Sequence, residues 1–284
     1  MVERRALGAA LSNGRVLFGL AVLLLLVIVA LAAPLLAPHD PLEQDLLSSF
    51  EPPFWRSGAD ANFLLGTDSL GRDILSRLIY GARIALTVAL VAASLAALLG
   101  TMLGLLAGYF GGWLDAVISR LVDVWMSFPP VLLSVVLAAV VGAGLKAVIL
   151  AIIVVDWTRF CRIVRAEVLV QREQDYVAAA VTIGLSRLRV LACEILPNLA
   201  PTLTVLLTLE MGIAVIVEAI LSFVGLSVAS DAPTWGGLIQ EGRLYINQAW
   251  WMMALPMFCV IVTVLGFNAL GDGLRETLDP VLRR

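Results

Sequence analysis

Three properties of the sequence predict an all-α integral membrane protein with about six transmembrane helices. Of 284 residues, 61% are hydrophobic and 14% charged, and the mean hydropathy is +0.97. A soluble domain of this size needs more polar surface to cover its core, so the apolar excess must face lipid. The apolar residues also gather into runs of about 20, the length that carries a helix across hydrocarbon with every backbone group bonded internally. Finally, the runs are separated by segments rich in arginine, glycine, proline and tryptophan.

The first run, Val16 to Leu36, follows Arg4, Arg5 and Arg15. Ala30-Leu31-Ala32 has the form of a signal-peptide cleavage site, but 21 residues exceed the roughly 7–15 of a secretory apolar region. It is expected to be a retained anchor helix. Ile84–Gly108 is the second span, with Gly100, Gly104 and Gly108 recurring every four residues, a spacing that lets helix backbones approach closely. Val117–Val141 is the third. Ser127-Phe128-Pro129-Pro130 lies inside it, and two prolines without backbone donors predict a kink there. Gly142-Ala143-Gly144-Leu145-Lys146 is a tight turn into the fourth, Ala147–Val164; without that turn the count falls to five. Leu199–Leu226 and Trp250–Leu270 complete the set.

Positive charge sets the expected orientation. With both termini cytoplasmic, the inner side carries thirteen basic residues: Arg4, Arg5, Arg15, Arg120, Arg159, Arg162, Arg165, Arg172, Arg187, Arg189, Arg275, Arg283 and Arg284. The outer side carries six: Arg56, Arg72, Arg77, Arg83, Lys146 and Arg243. The excess follows the positive-inside rule. It places the segment 169–197 in the cytoplasm and the segments 37–83 and 227–249 outside. The chain divides into an anchor plus outer segment (1–83), a helical core (84–273) and a cytoplasmic tail (274–284).

Charges inside spans are costly and therefore informative. Arg120 and Asp123, and Asp156 and Arg159, are three apart and can pair on their own helices, while Arg162 and Arg165 can reach lipid headgroups. Glu210 and Glu218 share a span holding no basic residue, and each costs roughly 2.5–3.5 kcal/mol at mid-bilayer. Glu218, Glu210, Asp123 and Pro129 are candidates for a pathway or gate, with a buried, hydrogen-bonded glutamate the alternative for Glu218.

Several functions are excluded. The net charge of −3 and pI near 5.2 provide no basic field for nucleic acid. Three scattered cysteines, Cys161, Cys193 and Cys259, suit neither a disulfide framework nor a thiolate metal site. His39 is the only histidine and is read as a surface turn residue, so neither a His-rich metal site nor a His-based catalytic group is expected. No Gly-x-x-x-x-Gly-Lys-Ser/Thr phosphate cradle occurs.

The segment from Asp175 to Pro197 is helix-prone and mildly amphipathic, the form of a short helix that lies in a partner's groove, though an ordinary connecting loop has the same composition. It resembles the coupling loop of ABC importer permeases. The matching positions are Ala178-Ala179-Ala180, then Gly184, then Ile195-Leu196-Pro197, with Asp175 and Tyr176 just upstream. Ala178 stands where that family has glutamate. The resemblance continues in Leu65–Asp73, in Arg120-x-x-Asp123 with Pro129, in Glu218-Ala-x-Leu-Ser-Phe-x-Gly225, in Pro233-x-Trp235-Gly236, and in Phe267–Arg275 with Leu278-Asp279-Pro280. These motifs are similar to the dipeptide/oligopeptide/nickel subgroup, and within it to the C-type permease (DppC-, OppC- or NikC-like).

The resemblance implies a type I importer (MetI-like) transmembrane domain that breaks no bond itself and binds no cofactor, with ATP and Mg on partner subunits. Its expected partners are ABC ATPase subunits, a second homologous permease, an extracytoplasmic solute-binding protein and membrane lipid. The expected location is the cytoplasmic (inner) membrane of a prokaryote. Di- or oligopeptides are the first substrate expectation, with nickel or another small solute the alternative. A carrier driven by an ion gradient through Glu210, Glu218 and Asp123 is a different class, and inverted repeats, its usual signature, are not seen.

Overall fold

A computed structural model describes residues 13–227 and 232–278; Arg4, Arg5, Asp279, Pro280, Arg283 and Arg284, invoked above, lie outside the described residues. Its helices are α1 (Gly14–Leu31), α2 (Ile74–Phe110), α3 (Gly112–Met126), α4 (Pro130–Val141), α5 (Leu145–Gln171), α6 (Asp175–Thr182), α7 (Leu196–Phe223), α8 (Trp235–Leu244) and α9 (Trp251–Leu278). A four-residue turn, Ala33–Leu36, extends the direction of α1. Among the described residues the β structure is a single isolated bridge, Thr67 to Asp73.

Four helices (α1, α2, α7 and α9) are each long and apolar enough to cross a membrane, and α3 with α4 form a fifth candidate bent by 90°. The bend lies at Ser127-Phe128-Pro129. Pro130 opens α4, where its missing N–H is harmless, and Pro129 is extended ahead of it. The expected kink is therefore a full break in the helix. The bundle reaches the expected count of about six with the remaining long helix, α5. Its 27 residues carry Lys146, Asp156, Arg159, Arg162, Arg165 and Glu167, which lower its hydropathy, but it lies along α2 for much of its length. Gly142 (φ +98°) and Gly144 (φ +147°) form the turn between α4 and α5, a backbone that favours glycine.

The glycine stripe of α2 sets that packing. A Cβ at Gly104 would lie 2.7 Å from the Cys161 carbonyl, and one at Gly108 would lie 2.8 Å from the Val168 Cβ. The stripe serves internal packing. At one end of the bundle α8 lies across α2 and α7. Trp235 is buried there, its indole Nε1 donating to the Leu78 carbonyl at 3.0 Å, while Gly236 lets α8 rest on Ala219 and Ser222. At the other end α6 packs Val177 and Ala180 against Val164, Val168, Val190 and Ile195.

Candidate functional site

Three groups of residues stand apart from ordinary packing. The first is the segment around α6. Asp175 is exposed in its first turn, where a negative charge complements the helix dipole. Tyr176 donates its hydroxyl to Gln171, and Ala180 is buried, while Ala178 and Ala179 face outward. Gly184 (φ +89°) ends the helix, with the Gly184 N–H donating to Val181 at 3.0 Å and the Leu185 N–H to Ala180 at 3.2 Å, a Schellman-type stop. A π turn over Val190–Ile195 leads to Leu196 and Pro197, with Ile195 buried and Pro197 in the first turn of α7. The exposed surface is apolar: Val181, Ile183 (79% exposed) and Leu188 (68%) project from this end.

The second group is the charge set inside the bundle. Glu210 is buried but paired with Arg159 of α5, whose Nη1 lies 3.1 Å from Oε1. Arg159 therefore bonds Glu210 across helices, where spacing alone had suggested Asp156. Asp156 is buried beside them and accepts no hydrogen bond among the described residues. Likewise Asp123 pairs with Arg162 at 3.0 Å, not with Arg120, and Arg165 makes a two-pronged contact with Asp115, a residue the local spacing did not single out. Thus neither Arg162 nor Arg165 simply extends into headgroups. Glu218 is fully buried near α8 and accepts from Ser222 Oγ and, at 3.3 Å, from Ser227 Oγ. Pro129 sits in the break before α4.

The third group is a buried clasp at the α8 end. Asp68 accepts from the backbone of Leu70 (2.8 Å) and Arg72 (3.0 Å), and from the guanidiniums of Arg72 (2.7 Å) and Arg77. Both arginines also reach Glu241 of α8, Arg72 at 2.9 Å and Arg77 at 2.7 Å. Two guanidiniums and two carboxylates balance in charge, the condition under which such groups tolerate burial. Burial raises the Glu241 carboxyl, but the Arg77 and Arg72 guanidiniums outweigh it and hold the group below its ordinary value. Asp73 caps α2 by accepting the Ser76 N–H at 2.8 Å. His39 sits in a bend, half-buried against Phe63, its backbone N–H donating to Ser76 Oγ at 3.0 Å.

Comparison with known proteins agrees with this architecture. A family model described as "Binding-protein-dependent transport system inner membrane component" matches residues 100–284, and "N-terminal TM domain of oligopeptide transport permease C" matches residues 5–53. The Di/tripeptide transport system permease protein DppC of Pseudomonas aeruginosa (strain UCBPP-PA14) is 41% identical over 271 residues, covering 95% of this chain and 89% of that protein. The Dipeptide transport system permease protein DppC of Escherichia coli (strain K12) is 40% identical over 272 residues, covering 96% and 91%. Among solved structures, an inward-facing form of the MetNI methionine ABC transporter superposes with a TM-score of 0.60 at 21% identity, covering 72% of this chain and 97% of that one.

Proposed function

The chain belongs to the family of binding-protein-dependent transport system inner membrane components, and from that premise we propose that it is the C-type permease of an ATP-driven importer of di- and oligopeptides. The observation that carries this substrate class is the similarity, over nearly the whole chain, to dipeptide permeases. Both termini are assigned to the cytoplasm, in accord with the excess of arginine on that side. The clasp and α8 then face outward, where a solute-binding protein delivers the peptide. The anchor and outer segment (1–83), the core (84–273) and the tail (274–284) divide the work accordingly.

In this reading α6 and the turn at Gly184 dock on an ATPase subunit. The exposed Val181, Ile183 and Leu188 support this role, because apolar side chains grouped at a water-facing end mark an interaction surface. Ala178 supplies no charge to that contact, so it would rest on shape and apolar burial, with Asp175, Tyr176, Ala179 and Ala180 shaping the helix and Ile195-Leu196-Pro197 passing its motion into α7. A second homologous permease completes the pathway, and ATP and Mg stay on the ATPases. Glu210, Asp123 and Pro129 are assigned to the pathway or gate, and Glu218 to the join between α7 and the outer helix α8.

The test is purification of the tagged chain from gently solubilised membranes, followed by reconstitution with its binding protein. Co-purification of an ATPase and a second permease, with ATP-dependent uptake of labelled dialanine, is expected. Uptake that persists without ATP on a proton gradient would overturn it.

A further inference from the structure

A groove of about 650 Å³, within the range of small-molecule sites, runs between α5, α7 and the end of α9. Glu167, Gln171, Asn198 and Arg275 line it beside the apolar Ile163 and Leu206. Arg159, Ile163, Glu167 and Gln171 recur every four residues along α5 and so share one face of that helix. Arg159 lies one turn from the lining residue Ile163 and Glu210 one turn from the lining residue Leu206, so the groove leads up to the pair, which does not itself line it.

That pair is unlike the other ion pairs of the bundle. Arg159 is 31% exposed whereas Glu210 is 3% exposed, so the guanidinium keeps an open edge. Asp156, also 3% exposed, lies one turn away with no hydrogen-bond donor among the described residues. Asp156 is thus an acceptor that no described group of the protein occupies, beside a guanidinium already engaged by Glu210. A donor brought beside Asp156 gains a hydrogen bond without displacing one, and a buried polar group without a partner is costly.

We infer that Asp156, Arg159 and Glu210 form a binding site for the charged termini of a short peptide, at the inner end of the transport path. The inference rests on the peptide-import reading above. A dipeptide carries one ammonium and one carboxylate, separated by at most about 7 Å in two extended residues. Its ammonium donates to Asp156 and Glu210, and its carboxylate takes the open edge of Arg159. The internal Arg159–Glu210 pair is exchanged for two pairs with the peptide and re-forms when the peptide leaves through the groove. Because only termini are contacted, the site is indifferent to side chains and discriminates against blocked ends.

The experiment uses the complex with its partner permease and ATPases but without the binding protein, and measures equilibrium binding of radiolabelled dialanine and of N-acetyl-dialanine. Wild type should bind dialanine at least tenfold more tightly than the acetylated form, the scale of one charged hydrogen bond. Glu210→Gln and Arg159→Gln should each weaken dialanine about tenfold. Asp156→Asn, which removes no hydrogen bond among the described residues, should weaken it severalfold in a normally assembled complex. Equal affinity for the two peptides, or unchanged affinity in Asp156→Asn, would overturn the site while ATP-driven dialanine uptake with the binding protein still stood. A wild-type complex that imports no peptide at all would instead overturn the peptide reading, and the site with it.

Discussion

Arg77 and Glu241 lie 164 positions apart yet meet through two hydrogen bonds, of 2.7 and 3.1 Å, that join the start of the long helix α2 to helix α8. With Asp68 and Arg72 they close a network that holds two separate segments as one unit. Glu241→Gln leaves the Arg72 and Arg77 guanidiniums buried with only Asp68 to balance them. Breaking a buried pair costs about 3–5 kcal/mol, and the 32% exposure of Glu241 reduces this to roughly 2–3 kcal/mol. Thermal unfolding of the purified chain should show that loss at neutral pH, and an unchanged transition would remove the clasp as a source of stability.

The same network predicts a pH dependence. The Glu241 carboxyl is held below its ordinary 4.5 in the folded protein, because the guanidiniums prevail over the cost of burial. A group with a lowered folded value stabilises fully above 4.5, and that contribution is lost as pH falls through the folded value. Acidification from pH 6 to pH 3 should therefore destabilise wild type more than Glu241→Gln, so that their melting temperatures converge. A gap that stays constant over this range would contradict the sign.

Gly81 carries the weight of Trp235. A Cβ there would lie 2.6 Å from the indole Cδ1, with the ring confined by its hydrogen bond to Leu78. Gly81→Leu should displace the indole, break that bond and destabilise the chain by about 1–3 kcal/mol, the usual cost of overpacking. Tryptophan fluorescence should shift to longer wavelength as the ring meets water. Wild-type emission and stability together would show that the ring had another place to go.

What the sequence revealed, and what it concealed, follows from the range of each signal. The spans and the Gly142–Gly144 turn were legible because apolar length and glycine act locally. The bend at Pro129 was legible as a kink but not as a 90° break, since its size depends on what α4 packs against. Charge pairing was misread for the same reason. Local spacing offered Arg120 to Asp123 and Asp156 to Arg159, whereas the partners come from 39 and 51 positions away. Glu210 looked unpaired only because its own helix has no basic residue. Asp115 and Glu241 drew no notice, because their partners Arg165 and Arg77 lie 50 and 164 positions away, beyond any local spacing.

The last prediction separates docking from folding at α6. Ile183 is 79% exposed, and Gly184 has open space where a side chain would be built, so neither supports the core. Ile183→Asp should change stability by no more than about 0.5 kcal/mol, as surface substitutions do. Gly184→Trp should cost roughly 1–2 kcal/mol, because φ +89° disfavours any side chain. If this end docks on an ATPase, both variants should insert normally and keep their melting behaviour within those limits. Yet a buried aspartate without a partner, or an indole wedged into the contact, should cut the co-purified ATPase and dialanine uptake at least tenfold. The informative quantity is the mismatch between a small structural cost and a large functional one. Ile183→Asp with full ATPase recovery and normal uptake would mean that the exposed apolar side chains of this segment meet no partner, and the coupling role would have to be sought elsewhere on the chain.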